Sequence, residues 1–103
     1  MVDLKTIFPD LSEEIDSLLL SSTSDTSEFA SRYSGFLKDY KEQLQEGSIT
    51  ISQFKGYVEH LFVLMEMEAA KKEVSMKLKA NEFREKAALL FLNKLMPLLL
   101  SLV

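Results

Sequence analysis

Apolar residues recur at helical spacing from Ile49 to about Met96, in the longest stretch of the chain without a strong helix breaker. No proline occurs before Pro97 in this stretch, and no glycine follows Gly56. Because proline and glycine are the usual points at which helices end, the pattern predicts one long helix over residues 51–96. Asn81 is the position at which a kink in this helix is expected.

The start of the long helix carries two signals that agree with each other. Thr50 and Gln53 have the spacing of a capping box, in which each side chain bonds the backbone amide of the other. Ile49 and Phe54 flank the box at the spacing of a hydrophobic staple. Both signals predict that the helix begins directly after Thr50.

The apolar positions of the long helix form two rows on different sides of it. The first apolar row consists of Val58, Phe62, Met65, Ala69, Met76, Ala80, Phe83, Ala87 and Leu90. The second apolar row consists of Val63, Met67, Ala70, Val74 and Leu78. At about 100° per residue the two rows are roughly 120–160° apart. One row suffices for a surface helix, so two rows predict neighbours on two sides.

Residues 74–80 also alternate between apolar and polar side chains, which is a pattern typical of a half-buried strand. The Met, Lys, Leu and Ala residues of this run favour helix, and no other segment is a candidate partner strand. We therefore predict helix here.

Two shorter helices are predicted before the long one. A short helix is expected over residues 3–20, where Pro9 suits the first turn. A second helix over residues 27–46 carries a row of aromatic side chains and ends at Gly47. This row consists of Phe29, Tyr33, Phe36 and Tyr40, and helical spacing favours a place in the core over a stacking platform for bases. The Ser/Thr-rich residues 21–27 are predicted to be a polar linker.

The end of the chain is apolar on nearly all sides, from Ala87 through the predicted apolar tail 97–103. A membrane span needs about 20 mainly apolar residues, and this shorter stretch contains Asn93, Lys94 and Pro97. Burial against protein is therefore favoured over membrane insertion, because a helix that is apolar all round must be covered.

These elements predict a single all-α domain over residues 1–103. We expect an antiparallel helical hairpin with one long central helix plus a short N-terminal helix, in a three- to four-helix bundle completed by oligomerisation. A chain of 103 residues buries a limited core, which also favours association. The residues predicted to form the oligomer or partner interface are Met65, Met76, Phe83, Leu90, Leu92, Met96 and Leu99.

The charges are unevenly distributed along the chain. Residues 1–69 carry 5 basic and 13 acidic side chains, whereas residues 70–103 carry 7 basic and 3 acidic ones. The two parts are thus electrostatically complementary, which favours folding one onto the other or pairing chains head to tail.

The sequence contains little that suggests chemistry. The chain has no cysteine, and its single histidine, His60, lacks the glutamate three residues earlier that a metal site in a bundle would use. No glycine-rich phosphate loop or nucleophile–base pair is present. We therefore expect no enzymatic activity, no bound metal and no cofactor.

A lysine-rich face is the one candidate for binding a polyanion. Its residues are Lys71, Lys72, Lys79 and Lys86. Lys72, Lys79 and Lys86 repeat every seven residues and would line one face of the long helix, where they could contact phosphates. Glutamates are interleaved with them, which favours a surface of ion pairs instead.

The sequence therefore predicts a non-enzymatic helical protein–protein interaction module that self-associates, as an adaptor, chaperone or assembly factor. Its expected partner is a second copy, in a dimer, or another helical protein. Two alternatives stay open: a nucleic-acid-binding accessory protein that uses the lysines of residues 71–86, and a membrane-associated protein that uses residues 87–103. A cytoplasmic location is expected, since no basic region followed by an apolar run opens the chain.

Overall fold

The structure is a computed structural model that describes residues 9–24 and 28–102, and the side chains of all of these except 22–24. Helix α1 spans Pro9–Ser24, α2 spans Glu28–Glu46, α3 spans Ile51–Ala70 and α4 spans Val74–Ala88. A π-helical segment, Leu89–Leu95, and a last short helix α5, Met96–Leu100, continue α4 without a break. We call residues 74–100 the C-terminal helix.

The described part of the chain is helical apart from its short connections and its end, and it contains no strand. The prediction of an all-α fold is therefore confirmed, and the alternating run 74–80 lies within α4. The four longer helices, α1 to α4, pack against each other as in a helical bundle: α1 against α2, α2 against α3, and α3 against α4. The C-terminal helix also packs against α1, which closes the bundle.

Side-chain pairs show how neighbouring helices are oriented. Arg32, near the start of α2, pairs with Glu68, near the end of α3, at 2.7 Å. Phe54, near the start of α3, contacts Phe91 in the later part of the C-terminal helix, with ring centroids 6.4 Å apart. Both pairs of helices therefore run in opposite directions.

The connection between α2 and α3 has the local structure that its sequence predicts. Gly47 has φ +80°, in the left-handed region, and the Ser48 amide bonds the Gln43 carbonyl at 2.9 Å. At the start of α3, the Gln53 amide donates to Thr50 Oγ1 at 3.1 Å and the Thr50 amide donates to Gln53 Oε1 at 2.9 Å. The predicted capping box is thus confirmed.

The prediction of one long helix over residues 51–96, with a kink near Asn81, is wrong. α3 ends at Ala70 and α4 begins at Val74, while Asn81, the expected kink, lies inside α4. Residues 71–73 form the turn, in which the Lys72 amide bonds the Ala69 carbonyl at 3.2 Å and Glu73 is extended, with ψ 159°. No proline or glycine forces this break. The break allows the apolar end of the chain to fold back onto α3. The burial gained by this packing outweighs the local preference of residues 71–73 for helix.

Part of the expected apolar tail 97–103 is helical, because residues 97–100 belong to the C-terminal helix. Pro97 lies in α5, directly after the π-helical segment, in which the Met96 amide bonds the Phe91 carbonyl. In a regular α-helix the Pro97 ring would clash with the carbonyl of Asn93. The wider π-helical turn removes this clash, so the helix passes through the proline.

α1 is longer at its end than expected. Residues 21–24, which were predicted to belong to the polar linker 21–27, are part of α1. Serine and threonine cost only a few tenths of a kcal/mol relative to better helix formers, so a helix held by its packed apolar face continues through them. Residues 3–8 of the predicted short helix and residues 25–27 lie outside the described residues.

A single chain buries the first apolar row and much of the C-terminal stretch. Every member of the first row is buried except Met76. In the C-terminal stretch the buried side chains include Leu90, Phe91, Leu95, Met96 and Leu99. The expectation that a second chain is needed to cover this stretch is therefore wrong for these buried side chains. The reversal of the chain at residues 71–73 brings them onto α3.

One lysine lies within the bundle. Lys41 of α2 is only 6% exposed, and its ammonium group donates to the Asp16 carboxylate of α1. A buried cation needs a partner because removing it from water is costly. A second ion pair of α1, Glu14 with Lys94 at 3.2 Å, has both side chains about half exposed.

These two ion pairs allow a matched test of the packing of α1. Replacing Asp16 with Asn leaves the buried Lys41 charge uncompensated, and we expect this to lower the free energy of unfolding by about 1–3 kcal/mol. Replacing Glu14 with Gln should change it by less than about 0.5 kcal/mol, since exposed pairs contribute little. Urea unfolding of both variants measures the difference, and equal losses would contradict the burial of Lys41.

Candidate interaction surface

The second apolar row is exposed along its whole length. The exposed fractions are 53% for Val63, 55% for Met67, 78% for Val74 and 64% for Leu78, and Ala70 is exposed as well. The first apolar row is thus the inner row of the fold, and the second is an outer row that no part of the described chain covers. Large apolar side chains that remain together on a surface are a feature of interaction sites.

The first half of this row belongs to a broader apolar surface on α3. Its large exposed side chains are Tyr57, Val63, Leu64 and Met67, which we call the α3 outer face. Gly56 and His60 share this side of the helix at helical spacing, so the middle of the face carries no carboxylate, lysine or arginine.

Acidic residues border the α3 outer face. Helical spacing places Glu59 and Glu66 along one edge and Glu68 along the other. Glu68 bonds Arg32 of α2 at 2.7 Å. Lys55, at 3.9 Å from Glu59, is the basic residue of α3. The surroundings of the face are therefore net acidic.

Aromatic rings extend the α3 outer face onto α2. The Tyr57 ring lies 5.4 Å from the Tyr40 ring, and the Tyr40 ring lies 6.5 Å from the Phe36 ring, measured between centroids. Phe36 and Tyr57 are exposed, whereas Phe29 and Tyr33 of the same aromatic row are buried. The prediction that this row lies in the core therefore holds for Phe29 and Tyr33, whereas Tyr40 is half-buried against the core and Phe36 is exposed.

The pKa of Tyr33 is shifted by its burial and by two charged neighbours at the edge between α2 and α3. Burial raises the pKa of the Tyr33 phenol, the Glu68 carboxylate raises it further, and the Arg32 guanidinium lowers it. The guanidinium lies 5.4 Å from the centre of the Tyr33 ring. The raised pKa favours the neutral phenol form of Tyr33.

The second half of the outer row lies on α4. Val74 and Leu78 share an exposed side of the C-terminal helix with Leu89, and we call these three residues the α4 outer face. The charges around them are mainly basic. Helical spacing places Lys79 and Lys86 along one edge and Lys77 and Arg84 along the other, with Glu82 and Glu85 between Leu78 and Leu89.

Most of the residues predicted to form an interface lie inside the single chain. Met65, Phe83, Leu90, Met96 and Leu99 are buried in the core, Leu92 is half-buried and Met76 is exposed. The core residues cannot reach a partner in this fold. The candidate interaction surface is formed instead by the second apolar row. The sequence pattern had indicated a neighbour for this row.

The predicted lysine-rich face is not one continuous surface. Lys71 and Lys72 lie at the turn after α3, whereas Lys79 and Lys86 lie on α4. The Lys72 ammonium is 5.5 Å from the centre of the Phe29 ring, a cation–π contact that ties the turn to the start of α2. Since the helix on which these lysines were expected to align is interrupted at residues 71–73, helical spacing does not place all four lysines in one row.

Other kinds of site have little support in the described part of the chain. His60 is exposed, and residues 9–24 and 28–102 contain no group of three or more side chains that could hold a metal ion. Among the same residues, no helix combines the length and the apolar character needed to cross a membrane.

Gly56 provides a test of the α3 outer face. A Cβ atom at this exposed mid-helix position would meet nothing within 4 Å. We expect Gly56→Ala to raise the free energy of unfolding by about 0.5–1 kcal/mol, because glycine is a poor residue inside a helix.

The matched control is Gly47→Ala, where the space is equally open but φ is +80°. That substitution should destabilise the protein by about 1–2 kcal/mol, because an alanine strains a left-handed conformation. Urea unfolding of both variants gives the comparison. In protein dilute enough to be monomeric, a destabilising Gly56→Ala would show that part of the same chain packs on this face.

No protein-family model matches the chain, and neither a curated protein nor a solved structure matches it. The function must therefore be inferred from the two outer faces themselves.

Proposed function

We propose that this protein is a non-enzymatic helical interaction module that self-associates through the second apolar row. The exposure of all five residues of this row supports the proposal. In such a role the protein serves as an adaptor, chaperone or assembly factor, with its inner row holding the bundle together and its outer row available to a second molecule.

The composition of the α3 outer face favours protein as the partner. Tyr57, Leu64 and Met67 combine an aromatic ring with large aliphatic groups, and aromatic residues and methionine are enriched at protein interfaces. Burying such a surface is favourable in proportion to the apolar area removed from water. The rim of glutamates, with one lysine, leaves the apolar centre free of charge.

The arrangement of the charged residues favours binding over catalysis. Catalysis requires a nucleophile, acid or base held next to its partners in a concave site. The ion pairs of the described residues instead join helix to helix or neighbouring turns, as Arg32–Glu68 and Lys55–Glu59 do. The divided lysines favour a protein partner over a nucleic acid.

The proposal predicts that charge placed on the α3 outer face prevents self-association. We expect the wild-type protein to exceed the monomer mass at tens of micromolar, and Val63→Asp with Met67→Asp to remain monomeric. Two unpaired carboxylates in an apolar interface should weaken association more than about tenfold, or about 1.4 kcal/mol. Size-exclusion chromatography with light scattering measures the masses.

The control is Leu20→Asp on α1, at a leucine that is 70% exposed and lies outside both outer faces. This variant should keep the wild-type mass. A wild-type protein that is monomeric at tens of micromolar would contradict the proposed self-association, and so would a double variant that keeps the wild-type mass.

A further inference from the structure

We infer that self-association is head to tail, with the α3 outer face of one copy packed on the α4 outer face of the next. This inference rests on the proposed function and specifies which surfaces meet. The α3 outer face is an apolar stripe of Tyr57, Val63, Leu64 and Met67. The α4 outer face has Val74 and Leu78 on α4 and Leu89 at the start of the π-helical segment, with Glu82 and Glu85 between Leu78 and Leu89.

Opposite charges surround the two faces. The helices α2 and α3, with their connection, carry 4 basic and 7 acidic side chains over residues 28–70. Residues 71–100 carry 7 basic and 3 acidic ones. Within the helices that bear the faces, α3 has one lysine against three glutamates, and α4 has four basic residues against two glutamates. Each face therefore suits the surroundings of the other.

The symmetric alternatives bring like charges together. In a dimer through two α3 outer faces, acidic edges meet in either orientation, because glutamates border both edges of this face. In a dimer through two α4 outer faces, basic edges meet, because Lys79 and Lys86 border one edge and Lys77 and Arg84 the other. Like charges across an interface disfavour a pairing, and opposite charges favour it. The observed distribution thus favours the unlike pairing over both symmetric ones.

The size and shape of the faces are compatible with this pairing. α3 has 20 residues and α4 has 15, so at 1.5 Å per residue they are about 30 Å and 22 Å long. Gly56 presents no side chain on α3, and a Cβ there would meet no atom of the described residues within 4 Å. A second helix can therefore approach α3 closely at this point.

A head-to-tail contact leaves one outer face of each kind unused at the ends of a dimer. Further copies then add at these ends until the assembly closes into a ring or continues as an open chain. The assembly should therefore be larger than a dimer at high concentration, and its mass should fall as salt screens the charged edges.

Two single variants, each blocking one face, test this inference. Met67→Asp blocks the α3 outer face and Leu78→Asp blocks the α4 outer face, and both side chains are more than half exposed. Each variant alone should be monomeric, because its one intact face finds only a blocked face of the other kind. An equimolar mixture should form a complex of two chains, since each variant supplies the face that the other has lost. Light scattering coupled to size exclusion measures all three samples.

The possible outcomes separate the inference from the proposed function. A wild-type protein that associates, together with a mixture that stays monomeric, would overturn the head-to-tail arrangement and leave self-association intact. A variant that keeps the wild-type mass would show that its face is not used, which also overturns the inference. A monomeric wild-type protein at tens of micromolar would overturn both. If either variant has lost the wild-type circular dichroism spectrum, Val63→Asp and Val74→Asp replace the pair, at positions of the same faces that are also more than half exposed.

Discussion

The fold depends on covering the apolar C-terminal stretch, and the turn at residues 71–73 makes this possible within one chain. The reversal brings Phe91 to within 6.4 Å of Phe54, measured between ring centroids, and buries Leu95 and Leu99 fully or almost fully. α1 also packs against the C-terminal helix. Without the reversal, the inner face of the C-terminal stretch would be exposed to water, at a cost of roughly 1.5–3 kcal/mol for each large side chain. The closed bundle is therefore a consequence of this one turn.

Local signals in the sequence predicted the parts of the fold that local interactions determine. The capping box of Thr50 and Gln53 lies where the sequence places it, and Gly47 ends α2 in the left-handed conformation that favours glycine. The turn at residues 71–73 has no such signal, because Lys71, Lys72 and Glu73 are ordinary helix residues. Its cause is the packing of residues far apart in the sequence, which periodicity along one helix does not contain.

The candidate surface was also predictable only in part, because local spacing defines the apolar rows but not which of them the folded chain buries. The spacing of apolar residues predicted neighbours on two sides of the long helix, but not which row the chain itself would cover. Met65 belongs to the covered row and Met67 to the exposed one, although they are two residues apart. With the C-terminal helix packed on α3, the first row of α3 is buried and its second row remains exposed. The proposed self-association rests on this exposure, which is a consequence of the topology of the bundle.

The oxidation rates of the methionines test most directly the claim that the first row is inside and the second outside. Hydrogen peroxide converts accessible methionine to the sulfoxide, and peptide mass spectrometry measures the rate at each position. Met67 is 55% exposed, whereas Met65 is fully buried and Met96 is 4% exposed. In dilute protein Met67 should oxidise much faster than Met65 and Met96, and in concentrated protein self-association should slow Met67 selectively. Equal rates at Met65 and Met67, or faster oxidation of Met65, would contradict the assignment of the two rows.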